Sequence, residues 1–357
     1  MKKFFVILLC AIMVLAVVAC DTTKEENKEV DYKLGMGVVV NMEESNSENQ
    51  LAQVDATVAA VVTDADGKIV ACRIDVAQNK MTVTDGEVDK DAAFKSKMEK
   101  GAEYGMAGNP YSSDNDNDGR ILEWDAQAKA FETFVVGKTV AEVKALKGNT
   151  QFVNNHTISA DKDLLAAGCT IQIGEFCDAV VKACEDAQGM SFKAVAGTFT
   201  LGVAVDSYAT DSVAATEEKD GTVAMYSDFA ATAVVDGKIV AALNDAIQPK
   251  ITVTIDGEVE PQEFKGTKRE VKEGYGMAGN PYSSDNNEDG TILEWYLQSA
   301  EFSKYVVGKT ATEVAGMKTQ VLHDHVVSAD KALLDAGCTI QIPAICAVVA
   351  EAVNNAR

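Results

Sequence analysis

The sequence predicts an α+β fold: two tandem copies of a domain in which helices pack on one face of a mostly antiparallel sheet. Three observations carry this. Strand-forming stretches punctuated by Asp-Gly turns open each half, segments with apolar residues at helical spacing follow, and the whole order occurs twice. The repetition is literal in places. Residues 104–115 (YGMAGNPYSSDN) recur unchanged at 275–286, and shorter identities surround them: 66–70 with 236–240, 121–124 with 292–295, 135–139 with 306–310, and 167–173 with 336–342. Two units of ~150 residues are globular domains in tandem, not a short-period solenoid.

The elements follow in order. Lys2 and Lys3 precede an apolar run over 4–18 that ends at Val17-Val18-Ala19-Cys20, so 1–19 reads as a signal peptide. The run is short of the ~20 residues needed to span a bilayer. Residues 20–33 then comprise the cysteine and a polar stretch with the composition of a solvated tether. The first domain is placed at 34–192 and the second at 193–357, with the boundary after Gln188-Gly189-Met190-Ser191. In the first, Val54, Val58 and Val62 share one side of a strand over 54–63. The turn at 64–67 leads into a second strand over 68–76, a hairpin. A short strand over 80–84, ending at Asp85-Gly86, extends it to a meander. Trp124, Ala128, Phe131 and Val135 recur at helical spacing, and Gly137 stops that helix. Thr139 with Glu142, and Thr310 with Glu313, have the capping-box spacing that starts a helix. A strand at 170–173 and a closing helix with Phe176, Val180, Val181 and Cys184 on its apolar face complete the unit.

Charge narrows the partners. The net charge of −23 repels phosphate backbones, so nucleic acid is excluded as a partner and membrane attachment falls to an apolar anchor. Of eight cysteines, Cys10 leaves with the leader and Cys20 stands just after it. The remaining six have no CxxC spacing and lie in apolar patterns, which reads as buried free thiols.

Val17-Val18-Ala19-Cys20 resembles the lipobox of bacterial lipoproteins. That resemblance implies a diacylglycerol on Cys20, cleavage just before it, and an extracytoplasmic, membrane-anchored location at the cell surface. The chain is also similar to tandem surface lipoproteins of anaerobic Gram-positive bacteria that carry YGM and VVGKT sequences. The order of elements, with Gly168-Cys169-Thr170 and Gly337-Cys338-Thr339 ahead of the closing helix, resembles the FMN-binding domain of exported flavoproteins in respiratory and extracellular electron-transfer chains. The family implies FMN esterified to Thr170 and Thr339 by a flavin transferase, and redox partners. Gly168 and Gly337 would give the phosphate room, and the helix start beyond would favour its charge. This chain departs from the family's motif at Ala167 and Ala336 (Ser or Thr), at Cys169 and Cys338 (Ala), and at Leu164 and Leu333 (Asp). The rival expectation is a non-redox module, ligand-binding or calcium-stabilised, whose YGMAGNPY loop forms a pocket or contact surface.

Calcium enters through Asp114, Asp116, Asp118 and Asp125, which with Gly119 and Ile121 have the spacing of an EF-hand-type loop. The second copy offers Asp285, Asn287 and Asp289 but Tyr296 at the twelfth position. The alternative is a solvated loop before the Trp124 helix. Trp124 and Trp295 fall on helical stripes and read as core. His156, His323 and His325 match no metal spacing and read as surface histidines. No Ser-His-Asp order, phosphate loop or carboxylate-pair signature can be assembled.

Overall fold

Strands Glu29–Asn41, Leu51–Thr63, Ile69–Thr82 and Met190–Val195 form one antiparallel sheet, ordered third, second, first, fourth. Strands Phe199–Tyr208, Tyr226–Val235 and Lys238–Ile247 form a second, again ordered third, second, first. The computed structural model describes residues 28–107, 121–154, 156–278, 292–322 and 324–357. The leader, Cys20, His323 and the calcium-loop residues Asp114, Asp116, Asp118, Asp285, Asn287 and Asp289 lie outside them. The fold is α+β with antiparallel sheets.

Side chains alternate across each strand, and here both faces of both sheets are covered. Leu34, Val38, Val54, Val58 and Val62 point from the first sheet into a core shared with Leu201, Val203, Phe229, Leu243 and Ile247 of the second. On the opposite face of the first sheet, Ala59, Val61 and Ile74 pack under Trp124, Phe131 and Phe176. These come from helices Trp124–Val135 and Gly174–Cys184. Beneath the second sheet, Ala204, Ala230 and Ala242 meet Trp295, Phe302 and Val349 of helices Trp295–Tyr305 and Pro343–Asn354. The layers run helix, sheet, sheet, helix. Helices on one face of each sheet agree with the sequence; the second sheet on the other face was not legible.

Close approach requires glycine where each closing helix crosses its sheet. A Cβ at Gly202 would stand 1.7 Å from the Ala352 carbonyl oxygen, and one at Gly35 1.9 Å from that of Ala183. Gly202→Val must therefore lift helix from sheet. We expect it to cost about 3 kcal/mol or more, read as a lower urea midpoint with unchanged slope.

Four expectations are corrected. Glu29–Lys33 is strand rather than tether: it pairs with Ser191–Val195, and Tyr32 packs on Phe192 and Phe199 with ring centroids 5.6 and 5.1 Å away. A ladder needs only backbone, so its polar side chains concealed it. The cut at 192/193 falls inside Met190–Val195, where Phe192 faces Tyr32 and Lys193 faces Asp31; the passage between sheets is the turn at 196–198. The strands expected at 68–76 and 80–84 are one strand, Ile69–Thr82, with Asp85-Gly86 in a tight turn beyond it. Residues 170–173 are not a strand but an irregular stretch leading into Gly174–Cys184. The capping boxes at Thr139 and Thr310 form as expected.

Two buried acids hold the sheets to the short helices beside the clefts described below. Asp75 accepts from the Met98 amide at 3.0 Å and Asp245 from that of Arg269 at 3.0 Å. Burial pushes Asp75 up to about 7 and Asp245 up to about 6, against hydrogen bonds that oppose the shift. A carboxyl whose folded pKa lies above its unfolded value of about 3.9 binds protons preferentially in the fold between those values. Its stabilising contribution is complete at low pH and is lost as pH rises toward 7. Between pH 4 and 7, Asp75→Asn should thus show a smaller decline in unfolding free energy than wild type, measured by urea titration at each pH.

Candidate functional site

Each half carries a cleft between its helices and its sheet, about 640 Å³ in the first and about 570 Å³ in the second. Both volumes suit a small organic ligand. The walls are built from the repeated sequence. Lys97, Tyr104, Met106, Ile121, Trp124, Gln127, His156 and Thr170 line the first cleft; Lys268, Tyr275, Met277, Ile292, Trp295, Gln298, His325 and Thr339 line the second.

Local chemistry explains how these side chains are set. Ser96 and Glu99, or Thr267 and Glu270, cap a one-turn helix that presents Lys97 or Lys268. The lysine ammonium sits between two rings: Lys97 Nζ is 5.0 Å from the Tyr104 centroid and 5.4 Å from that of Trp124. Lys268 repeats this at 5.0 Å from Tyr275 and 5.2 Å from Trp295. Such contacts hold a cation in place without neutralising it. The Gly of YGM then turns the chain at φ 74° and 75° (Gly105, Gly276), a left-handed conformation that glycine adopts without strain. Glu123 draws the next residues in, its carboxylate accepting from the Met106 amide at 2.8 Å and the Ala107 amide at 3.2 Å. Glu294 does the same for Met277 and Ala278 at 2.9 and 3.2 Å.

A buried glutamine braces the opposite wall. Gln127 donates Nε2 to the Leu122 carbonyl at 2.8 Å and to Met106 Sδ at 3.3 Å. Its Oε1 accepts from the Thr170 amide at 2.8 Å and the Thr170 hydroxyl at 3.2 Å. Gln298 makes the equivalent bonds to Leu293, Met277 and Thr339. The irregular path at 170–173 is fixed by this side chain rather than by a strand partner.

The floors differ. In the first cleft, Glu175 accepts from Asn41 Nδ2 at 3.2 Å and from the Thr57 hydroxyl at 3.0 Å. Asp55 lies between them, opposite Asn41 in the ladder and two residues before Thr57. Its Oδ1 is buried and has no hydrogen-bond partner among the described residues. In the second cleft the floor holds Tyr208, Tyr226 and Asp228, with the tyrosine rings edge to face at 5.9 Å. Burial pushes Asp228 up to about 6, with Lys268 opposing.

The sequence candidates divide. Thr170 and Thr339 line the clefts. Gly168 and Gly337 serve another purpose: at φ 91° and 88°, an added Cβ would meet Leu122 Cδ1 at 2.6 Å or Leu293 Cδ1 at 2.5 Å. Their missing Cβ leaves room for that leucine side chain. Asp125 lies in the first turn of its helix and pairs with Lys129 at 2.7 Å. Among the described residues no group of three or more His, Cys, Asp or Glu could hold a metal ion. His156 and His325 do correspond, each opening a short strand at a cleft rim. Trp124 and Trp295 are core and cleft at once.

The lysines and glutamines were missed. Their signal was positional: Lys stands seven residues before YGM, and Gln three after Trp, in both copies.

The six described cysteines are free, as expected. Burial pushes Cys169, Cys177, Cys184, Cys338 and Cys346 to about 12, and Cys72 well above its ordinary value. Native protein at pH 8 should therefore leave Cys169 and Cys338 unlabelled by a thiol-disulfide reagent, with labelling after guanidinium unfolding; rapid native labelling of either would contradict their burial.

No family model, no curated protein and no solved structure matches this chain. The described residues contain no helix long and apolar enough to cross a membrane.

Proposed function

We propose that the chain is an extracytoplasmic lipoprotein, tethered through Cys20, whose two clefts bind small molecules. One observation carries the binding reading: the residues repeated between the halves converge on the clefts, and the lysine, tyrosine, tryptophan, glutamine and threonine occupy the same relations in both. Catalysis is not part of this reading. The tether rests on the lipobox-like sequence. Cys20→Ser should abolish fatty-acid labelling and release the protein from the membrane fraction; undiminished labelling would refute it.

Thr170 and Thr339 favour a second reading, flavin-based electron transfer. They stand on the cleft walls, where esterified FMN would supply one- and two-electron redox chemistry, though each hydroxyl donates to Gln127 or Gln298, a bond that esterification would remove. The fit fails at the family's carboxylate position, where Leu164 and Leu333 are buried in the helical cores. Peptide mass spectrometry of natively exported protein separates the readings. An FMN-sized increment on the peptides bearing Thr170 or Thr339 establishes the redox reading. Unmodified peptides in a colourless protein that retains another small molecule leave the binding reading alone.

A further inference from the structure

Each cleft sets a fixed cation against a carboxylate floor. The cation is common to both, Lys97 or Lys268 held between its two rings. The acid differs in origin. In the first cleft Glu175 and Asp55 stand side by side on the floor, Glu175 oriented by Asn41 and Thr57 while Asp55 Oδ1 lacks a hydrogen-bond partner among the described residues. In the second, alanine (Ala344) stands where the first has Glu175, and Asp228 on the middle strand provides the carboxylate instead. The floor acids thus come from a strand and a helix in the first cleft and from a strand in the second, while the bipolar arrangement is kept. Asp55 accepts from Gln53 through its other oxygen, so a ligand that brings a donor to Oδ1 satisfies an acceptor the fold leaves open.

We infer that the clefts bind a small zwitterion of the free amino-acid class, its carboxylate toward Lys97 or Lys268 and its ammonium toward Asp55 and Glu175 or toward Asp228. This deepens the small-molecule reading and rests on it. A purely anionic ligand leaves the floor carboxylates facing like charge, and a purely cationic one leaves the lysine unmatched. The floors assign side-chain preference. The first cleft, with Gln53 and Asp55 beside Glu175, takes a polar side chain; the second, with Tyr208, Tyr226, Pro343 and Ile345, takes an apolar or aromatic one.

The two tryptophans of the chain stand one in each cleft, so emission reports occupancy of each separately. The full chain, its Trp295→Phe variant (reporting the first cleft) and its Trp124→Phe variant (reporting the second) are titrated at pH 7.5 with single L-amino acids. The corresponding N-acetyl amino acids and amino-acid amides serve as controls. Saturable emission changes with free amino acids, weakened about tenfold or more by either blocking group, support the inference. Lys97→Met and Glu175→Gln should each weaken the first cleft by about tenfold or more and leave the second unchanged, and Lys268→Met and Asp228→Asn the reverse. Lys97→Arg, which keeps the charge and the ring contacts, should retain binding and so separates lost recognition from misfolding. Equal responses to blocked and free compounds would overturn the zwitterion assignment while leaving the clefts as ligand sites. No response to any amino acid would also overturn it, and the small-molecule reading would then stand or fall on what the natively purified chain retains.

Discussion

Expressed apart, residues 28–195 and 196–357 should each fail to give a cooperatively unfolding protein, and mixing them should restore near-ultraviolet circular dichroism and amide protection. The reason is the shared core. Separation exposes Leu34, Val38, Val54, Val58 and Val62 on one side and Leu201, Val203, Phe229, Leu243 and Ile247 on the other. At about 1.5–3 kcal/mol for each such side chain, the loss exceeds the ~5–15 kcal/mol by which whole domains are stable. Polar links between the halves go as well: the Arg269–Asp186 pair at 3.0 Å, buried on both sides, and Arg357 to Glu132 at 2.9 Å. Fully protected, monomeric halves would contradict the shared core and restore the independent domains that the sequence suggests.

Gln127→Leu should cost about 2–6 kcal/mol, because the Leu122 carbonyl and the Thr170 amide each lose a buried partner worth about 1–3 kcal/mol. Gln298→Leu should act alike on the second half through Leu293 and Thr339. Leucine keeps the bulk, so the loss reports the hydrogen bonds rather than a cavity. Each substitution should also shift the emission of its own tryptophan, Trp124 or Trp295, and leave the other unchanged. A loss under about 0.5 kcal/mol with unaltered emission would show that the glutamines do not brace the cleft walls.

Periodicity and self-comparison made much of the fold legible. The alternation of Val54, Val58 and Val62 identified a strand and its inward face. The Trp124, Ala128, Phe131, Val135 stripe identified a helix, and Thr139 with Glu142 its neighbour's first turn. What covers the inward face was not legible, since alternation shows that a face is apolar without naming its partner. Glu29–Lys33 was lost because edge pairing uses backbone groups that composition does not reveal. At the site, Thr170 and Thr339 were found through a family resemblance. Lys97 and Gln127 were passed over because a lysine and a glutamine in isolation carry no signature; only their equal spacing in both copies marks them. Gly168 was singled out without its leucine neighbour, Leu122 being 46 residues upstream and visible only in space.

Native mass spectrometry of the full exported chain, purified without denaturation, tests most directly whether both clefts are ligand sites. The wild type should carry up to two small molecules per chain, Gln127→Leu or Gln298→Leu one, and the double variant none. A wild-type chain that emerges bare and whose tryptophans do not respond to a small-molecule extract of its growth medium, or a stoichiometry unaffected by both substitutions, would contradict the account.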